Sequence, residues 1–282
     1  HLSSPLPYRR SKDQTVQEFC NELVKEFEQK IEELGAENIA AFIAEPVLAS
    51  GGCIVPPDGY FKKIYDVCKK NQIIFIADEV VTGFGRLGHF FSSEEIFGVV
   101  PDIITCAKGI TSGYLPLGAV LFSNKLIADL KDDSSLFFHG YTYSGHPACC
   151  AAALKNIEIL KRDKILEHVK EIEPYFFEKL NSLYELPIVG DIRGKGLMAG
   201  IECVINKDSK EALVLDKAIG SRIDEESIKL GLIIRPLYHI CVLSPALIIN
   251  KEQINELTEK LYQAISNTID QLKNEGLWSQ TK

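Results

Sequence analysis

Asp78, Glu79 and Lys108 are the residues whose types and spacing could do chemistry in this chain. The two carboxylates follow the apolar run 73–77, and the lysine follows a second apolar run, 103–107. Largely apolar runs of this length predict strands buried on both faces, as in a parallel sheet. Charged residues just beyond such strands would emerge at the C-terminal edge, where open α/β sheets bind ligands. A primary amine and a carboxylate on that edge are parts for Schiff-base chemistry on a pyridine cofactor. The amine bonds an aldehyde carbon, and the carboxylate stabilises a protonated ring nitrogen. Burial at a strand end would also lower the lysine's pKa, the direction a nucleophilic amine needs. Gly109 and Gly113, with Ser112 between them, would let the backbone approach a ligand closely. Each residue taken singly has a plainer reading as well. Lys108 could be the first solvated residue after a strand, and Asp78 a helix cap or ion-pair partner. No histidine or second carboxylate cluster lies at ligand spacing from Asp78 and Glu79, so the motif does not point to a metal.

The elements that must position these residues can be read in order. Val16, Phe19, Cys20, Leu23, Val24, Phe27, Ile31 and Leu34 recur at helical spacing and predict a helix over 15–34, closed by Gly35. A short strand is expected at 39–44 and a loop at 49–57. A helix N-capped by Asp58 should then run to about Lys70. With the strand at 73–77 this makes a parallel strand–helix–strand unit. Strands follow at 103–107 and 117–122, then helices at 124–130, 146–161 and 163–184. Beyond about Pro187 a glycine-punctuated strand pair, a helix over 216–230, strands at 232–234 and 241–243, and a helix over 251–272 suggest a smaller α+β domain.

Bulk composition narrows the function classes. Hydrophobic residues make up 46% and charged residues 25%, an ordinary globular balance. The formal net charge of −8, with no local Lys/Arg block, argues against a nucleic-acid partner. None of the eight cysteines forms a C-x-x-C pair, so reduced thiols and a cytoplasmic location are expected. No apolar stretch approaches the roughly 20 residues of a membrane span, and no signal-peptide pattern opens the chain. The only methionine is Met198 and the first residue is His1, which predicts residues upstream of those given.

FIADEVVTGFGRLG followed by PDIITCAKGITSG closely resembles the signature of the class III aminotransferases, pyridoxal-phosphate enzymes of fold type I. The pattern falls on Phe75, Ile76, Asp78, Glu79, Gly83, Asp102, Ile103 and Lys108. AFIAEPV, LPLGAV, HGYTYSGHP and IIRPL extend the resemblance along nearly the whole chain. GFGR, HGYTYSGHP and RPL look most like the omega-amino-acid–pyruvate branch.

The resemblance implies an α/β architecture. A mostly parallel large domain, incomplete at its N-terminus, would occupy 1–160, with a connecting helix at 161–186 and a small C-terminal α+β domain at 187–282. It implies pyridoxal 5'-phosphate as cofactor and transfer of an amino group from an amine or amino acid to a 2-oxo acid such as pyruvate. Lys108 would bond the cofactor and act as general base and acid. Asp78 would hold the pyridine nitrogen, and Val80 would lie against one ring face. Thr142 would bind the phosphate of the neighbouring subunit in a homodimer with sites at its interface. Arg235 would grip a substrate carboxylate, and Glu45 would pair with an arginine when no carboxylate is present. His139 and His146 receive no proton-transfer role. Two departures stand out. The glycine/serine phosphate loop and the stacking aromatic that relatives carry upstream are absent, and Leu48 stands where many relatives have glutamine. An aminomutase, a decarboxylase of the same family, or an inactive fragment or subunit are the alternatives.

Overall fold

The computed structural model describes residues 1–128, 137–212 and 219–279. They form two compact units: 1–46 with 56–166, and 47–55 with 167–282.

In the first unit, helix α1 (Val16–Leu34) opens with a capping box in which Thr15 and Glu18 satisfy each other's backbone amides. Gly35, at φ 79°, closes it. Strand β1 (Ala41–Ala44), helix α2 (Tyr60–Lys70) and strand β2 (Ile74–Asp78) form the expected parallel unit, and strand β3 (Ile103–Cys106) continues it. Strand β4 (Ala119–Phe122) turns back antiparallel to β3, giving the order β1-β2-β3-β4. Short helices α3 (Ser92–Glu95) and α4 (Asn124–Ala128) and the longer α5 (Pro147–Arg162) complete this unit. Asp58 does not cap α2 as expected. The N-cap is Gly59 in left-handed conformation, and the Tyr60 amide donates to the Pro57 carbonyl, so Asp58 serves as a turn residue.

The two faces of this sheet are unlike. Phe42, Phe75, Ala77 and Ile104 pack against the buried stripes of α1 and α2, with Phe61 edge-on to Phe75 at a 5.1 Å centroid distance. Ladder partners place Ile43, Ile76, Ile103 and Phe122 in one row of the opposite face, with Asp78, Thr105 and Val120 in the next. Ile43 is 59% exposed and Val120 45%. Asp102 sets the register that carries the site: its carboxylate accepts the Phe75 amide at 2.9 Å and pairs with Lys69.

The second unit begins with α6 (Ile165–Asn181), most of which belongs to it, followed by the antiparallel order β5-β6-β9-β8. These strands are β5 (Val189–Lys195), β6 (Met198–Asn206), β8 (Arg235–Leu237) and β9 (Ile240–Leu243), with β7 (Glu211–Ala212) pairing β6. Helices α7 (Ile219–Lys229) and α8 (Lys251–Asn274) complete a core containing Phe176, Leu197, Ile201, Ile223 and Ile265. The strand expected at 232–234 lies instead at Arg235–Leu237. Gly231 turns left-handed at φ 75°, and the Leu232 amide donates back to Ser227, so those apolar residues form the exit of α7. The expected helix over 216–230 is described from Ile219, and the end of that over 124–130 lies outside the described residues. None of the eight cysteines is in a disulfide. Among the described residues, no helix is long and apolar enough to cross a membrane, and no side-chain cluster is suited to a metal ion.

Candidate active site

Three parallel strands end together. Glu45 follows β1 directly, Asp78 is the last residue of β2, and Lys108 stands two residues beyond β3. Neighbouring strands lie about 4.8 Å apart, so one edge presents all three side chains. The apolar runs predicted that Asp78 and Lys108 share this edge, Glu45 was not part of that expectation, and the register adds that Asp78 is paired with Thr105.

The adjacent carboxylates of the Asp-Glu pair do different work. Glu79 is fully buried, and its side chain accepts from Thr82 Oγ1 (2.5 Å), Ser92 Oγ (2.8 Å) and the Ser93 amide (2.7 Å). Its amide donates to the Thr105 carbonyl at 2.8 Å. Glu79 therefore ties the loop after β2 to α3 and β3. Asp78 is half-buried, and its Oδ1 accepts the Val80 amide at 3.0 Å. Among the described residues its second oxygen has no hydrogen-bond partner.

Lys108 opens a short 3-10 turn (Lys108–Ile110) at φ 41°, a left-handed conformation that a non-glycine residue adopts at a cost of about 1–3 kcal/mol. Asn156 of α5 holds this turn in place. Its Nδ2 donates to the carbonyls of Gly109 (2.8 Å) and Ile110 (3.1 Å), and its Oδ1 accepts the Ser112 hydroxyl at 2.7 Å. A Cβ on Gly109 would lie 2.8 Å from the Phe84 Cβ, so the loops after β2 and β3 meet at a distance only glycine allows. The Lys108 side chain is exposed, and its amine makes no ion pair or hydrogen bond among the described residues. The desolvation expected at a strand end is thus not supplied by this chain's own packing.

The other expected site residues fall elsewhere. Val80 follows Asp78 by two and is half-buried. Thr142 is exposed in the turn before α5, where the Tyr141 amide donates to Ser144 Oγ at 2.9 Å. Arg235 is exposed at the start of β8 in the second unit. Leu48 also belongs to the second unit. Sequence reading missed Asn156, Glu79 as a loop tie, and Thr105. An asparagine in the Ala153–Leu160 stripe of α5 was a usable signal, because a buried amide needs partners. Thr105 gave no signal, since threonine is a common strand residue.

The polar groups left unspent at this edge fit the two ends of a pyridine aldehyde: a carboxylate oxygen for the ring nitrogen and an amine for the aldehyde carbon.

A sequence profile described as Aminotransferase class-III matches residues 1–265. The chain belongs to the class-III aminotransferases. The chain is 42% identical over 269 residues to a putrescine–pyruvate aminotransferase of Pseudomonas aeruginosa, covering 95% of this chain and 58% of that protein. It is 41% identical over 263 residues to a probable gamma-aminobutyrate transaminase 3, mitochondrial, of Oryza sativa subsp. indica, covering 92% of this chain and 51% of the relative. An (S)-enantioselective omega-transaminase from Thermomicrobium roseum superposes with a TM-score of 0.92 at 43% identity, over 96% of this chain and 60% of that one. A PMP-bound aminotransferase from Vibrio fluvialis gives 0.90 at 36% identity, over 96% and 60%. The aminotransferase chain therefore spans somewhat more than half the length of these proteins, and its fold is that of the fold type I transaminases.

Proposed function

We propose that this aminotransferase moves an amino group from an amine or amino acid to a 2-oxo acid, pyruvate among them, using pyridoxal 5'-phosphate. One observation carries the reading: Asp78 and Lys108 share the C-terminal edge of two adjacent parallel strands, and both keep polar atoms unspent. The relatives' names supply the substrate class.

When bound, pyridoxal phosphate supplies an aldehyde carbon and a protonated ring that draws electrons from it. Lys108 is the residue to hold that aldehyde, and its Nζ is the atom that takes and returns a proton. Asp78 would hold the ring nitrogen through the carboxylate oxygen that the Val80 amide does not occupy. Val80 would lie against a ring face. Asn156 and Glu79 fix the two loops so that amine and carboxylate keep their separation. Thr142 binds phosphate across a homodimer interface, a role that suits its exposed turn. Phe138 (93% exposed) and Tyr143 (79% exposed) in the same loop would be covered there. Arg235 takes a substrate carboxylate in a forked pair of hydrogen bonds, and Glu45 pairs with an arginine in its absence. A cytoplasmic location suits eight cysteines outside any disulfide.

The test is formation of alanine from pyruvate with a panel of amine donors, alongside mapping of a borohydride-fixed pyridoxyl label. Alanine should form and the label should fall on Lys108. Lys108→Ala should abolish the label and lower activity by about 10²–10⁴-fold. No alanine with any donor, or a label elsewhere, would overturn the reading.

A further inference from the structure

Thr105 carries a buried hydroxyl with no hydrogen-bond partner among the described residues. Buried hydroxyls are paired in the great majority of cases, because an unpaired one forfeits its bonds to water. Its surroundings limit what it could pair with. The ladder registers Thr105 with Asp78 on β2 and with Val120 on β4, so all three share one face. Along its own strand the same face carries Ile103. Of these side chains only Asp78 has an acceptor, and among the described residues that carboxylate has one oxygen occupied by the Val80 amide and one unpartnered. Residues in register on adjacent strands stand about 4.8 Å apart, within a side-chain rotation of hydrogen-bonding distance. A carboxylate and a hydroxyl on one face, both unspent, describe a bond not yet closed.

We propose that Thr105 is a positioning residue for the cofactor's ring. Its hydroxyl donates to the Asp78 carboxylate when a pyridinium occupies the edge, and so orients the oxygen that accepts the ring N–H. This rests on the reading of Asp78 given above. With the Val80 amide, the hydroxyl makes a second donor to the carboxylate. Donor and acceptor lie in one ladder row, so the geometry is set by the sheet rather than by a loop. In the cofactor-free protein the hydroxyl stays unpaired, a local stability loss retained for binding.

Two readouts test this without turnover. The first is the dissociation constant for pyridoxal phosphate, measured by equilibrium dialysis on wild type, Thr105→Val and Thr105→Ser. The second is the midpoint of thermal unfolding of the same proteins without cofactor. Thr105→Val keeps the shape and removes the hydroxyl. It should weaken uptake about tenfold, the effect of losing one hydrogen bond to a charged group. It should leave the cofactor-free midpoint unchanged or raised, and Thr105→Ser should restore uptake to within about twofold. In an Asp78→Ala background, Thr105→Val should add less than a twofold further loss. Uptake unchanged by Thr105→Val, a lowered cofactor-free midpoint, or a full tenfold loss persisting without Asp78 would each overturn the inference alone. A wild-type chain that takes up no pyridoxal phosphate overturns the reading of the site and this inference with it.

Discussion

At the scale of single residues, the candidate site rests on side chains that hold its loops in place. Lys108 sits at a positive φ, and Asn156 holds the turn that carries it through two donated bonds and one accepted bond. Asn156→Asp preserves the acceptor but loses both donors and faces two carbonyls with a carboxylate. Asn156→Leu removes all three bonds within a similar volume. Both should destabilise the first unit by about 1–3 kcal/mol, with Asp the worse of the two. Urea unfolding of the three proteins checks the order. Glu79 follows the same logic, because three donors converge on a carboxylate that no solvent reaches. The sequence places Asp78 and Glu79 side by side, but only packing separates a half-buried carboxylate at the strand end from a fully buried, loop-holding one.

At the scale of elements, the parallel strands do the positioning and the helices hold them. Asp102 locks β3 to β2 by accepting the Phe75 amide, so a residue before the strand fixes where Lys108 emerges after it. In the second unit Glu226 plays a comparable part between helices. On α7, it accepts from Lys229 and from Gln271 (2.7 Å) and Asn267 (3.2 Å) of α8. The Lys229 hydrogen bond foremost, helped by the two amides, holds its carboxyl below the usual value of 4.5. A carboxyl with a depressed folded-state pKa contributes stability above its unfolded value, and loses it as pH falls through the folded one. The unfolding midpoint of wild type should therefore exceed that of Glu226→Gln at neutral pH. The gap should close as pH falls below about 4.

At the scale of the whole molecule, exposed apolar surface has to be covered. The loop around Thr142 leaves Phe138 and Tyr143 almost fully exposed. Patches of this kind mark interaction surfaces in native proteins. If the homodimer buries this loop, sedimentation equilibrium should give about twice the 31.4 kDa chain mass, and Phe138→Asp should shift the protein toward monomer. Far-ultraviolet circular dichroism unchanged by that substitution would separate lost assembly from lost folding.

Much of this protein was legible in its sequence. Apolar runs of four or five residues are long enough to be buried strands. A charged residue just past such a run must surface at the strand's end, so the meeting of Asp78 and Lys108 followed from pattern alone. Helical spacing fixed α1 and α8 for the same reason: local periodicity decides which face is buried. Boundaries set by backbone hydrogen bonds were not legible. Pro57 and Gly59 move the start of α2, and the bond from Leu232 back to Ser227 delays β8, because each amide's partner lies on another turn of the chain. Asn156 and Thr105 were hidden for a stronger reason. The residues they face stand 47 and 27 positions away, brought alongside only when α5 packs on the Lys108 turn and β3 takes its register beside β2. Sequence alone determined which residue types reach the C-terminal edge of the sheet. The tertiary structure decided which polar groups there are already spent and which remain open, because a hydrogen bond is settled by register and packing rather than by residue type.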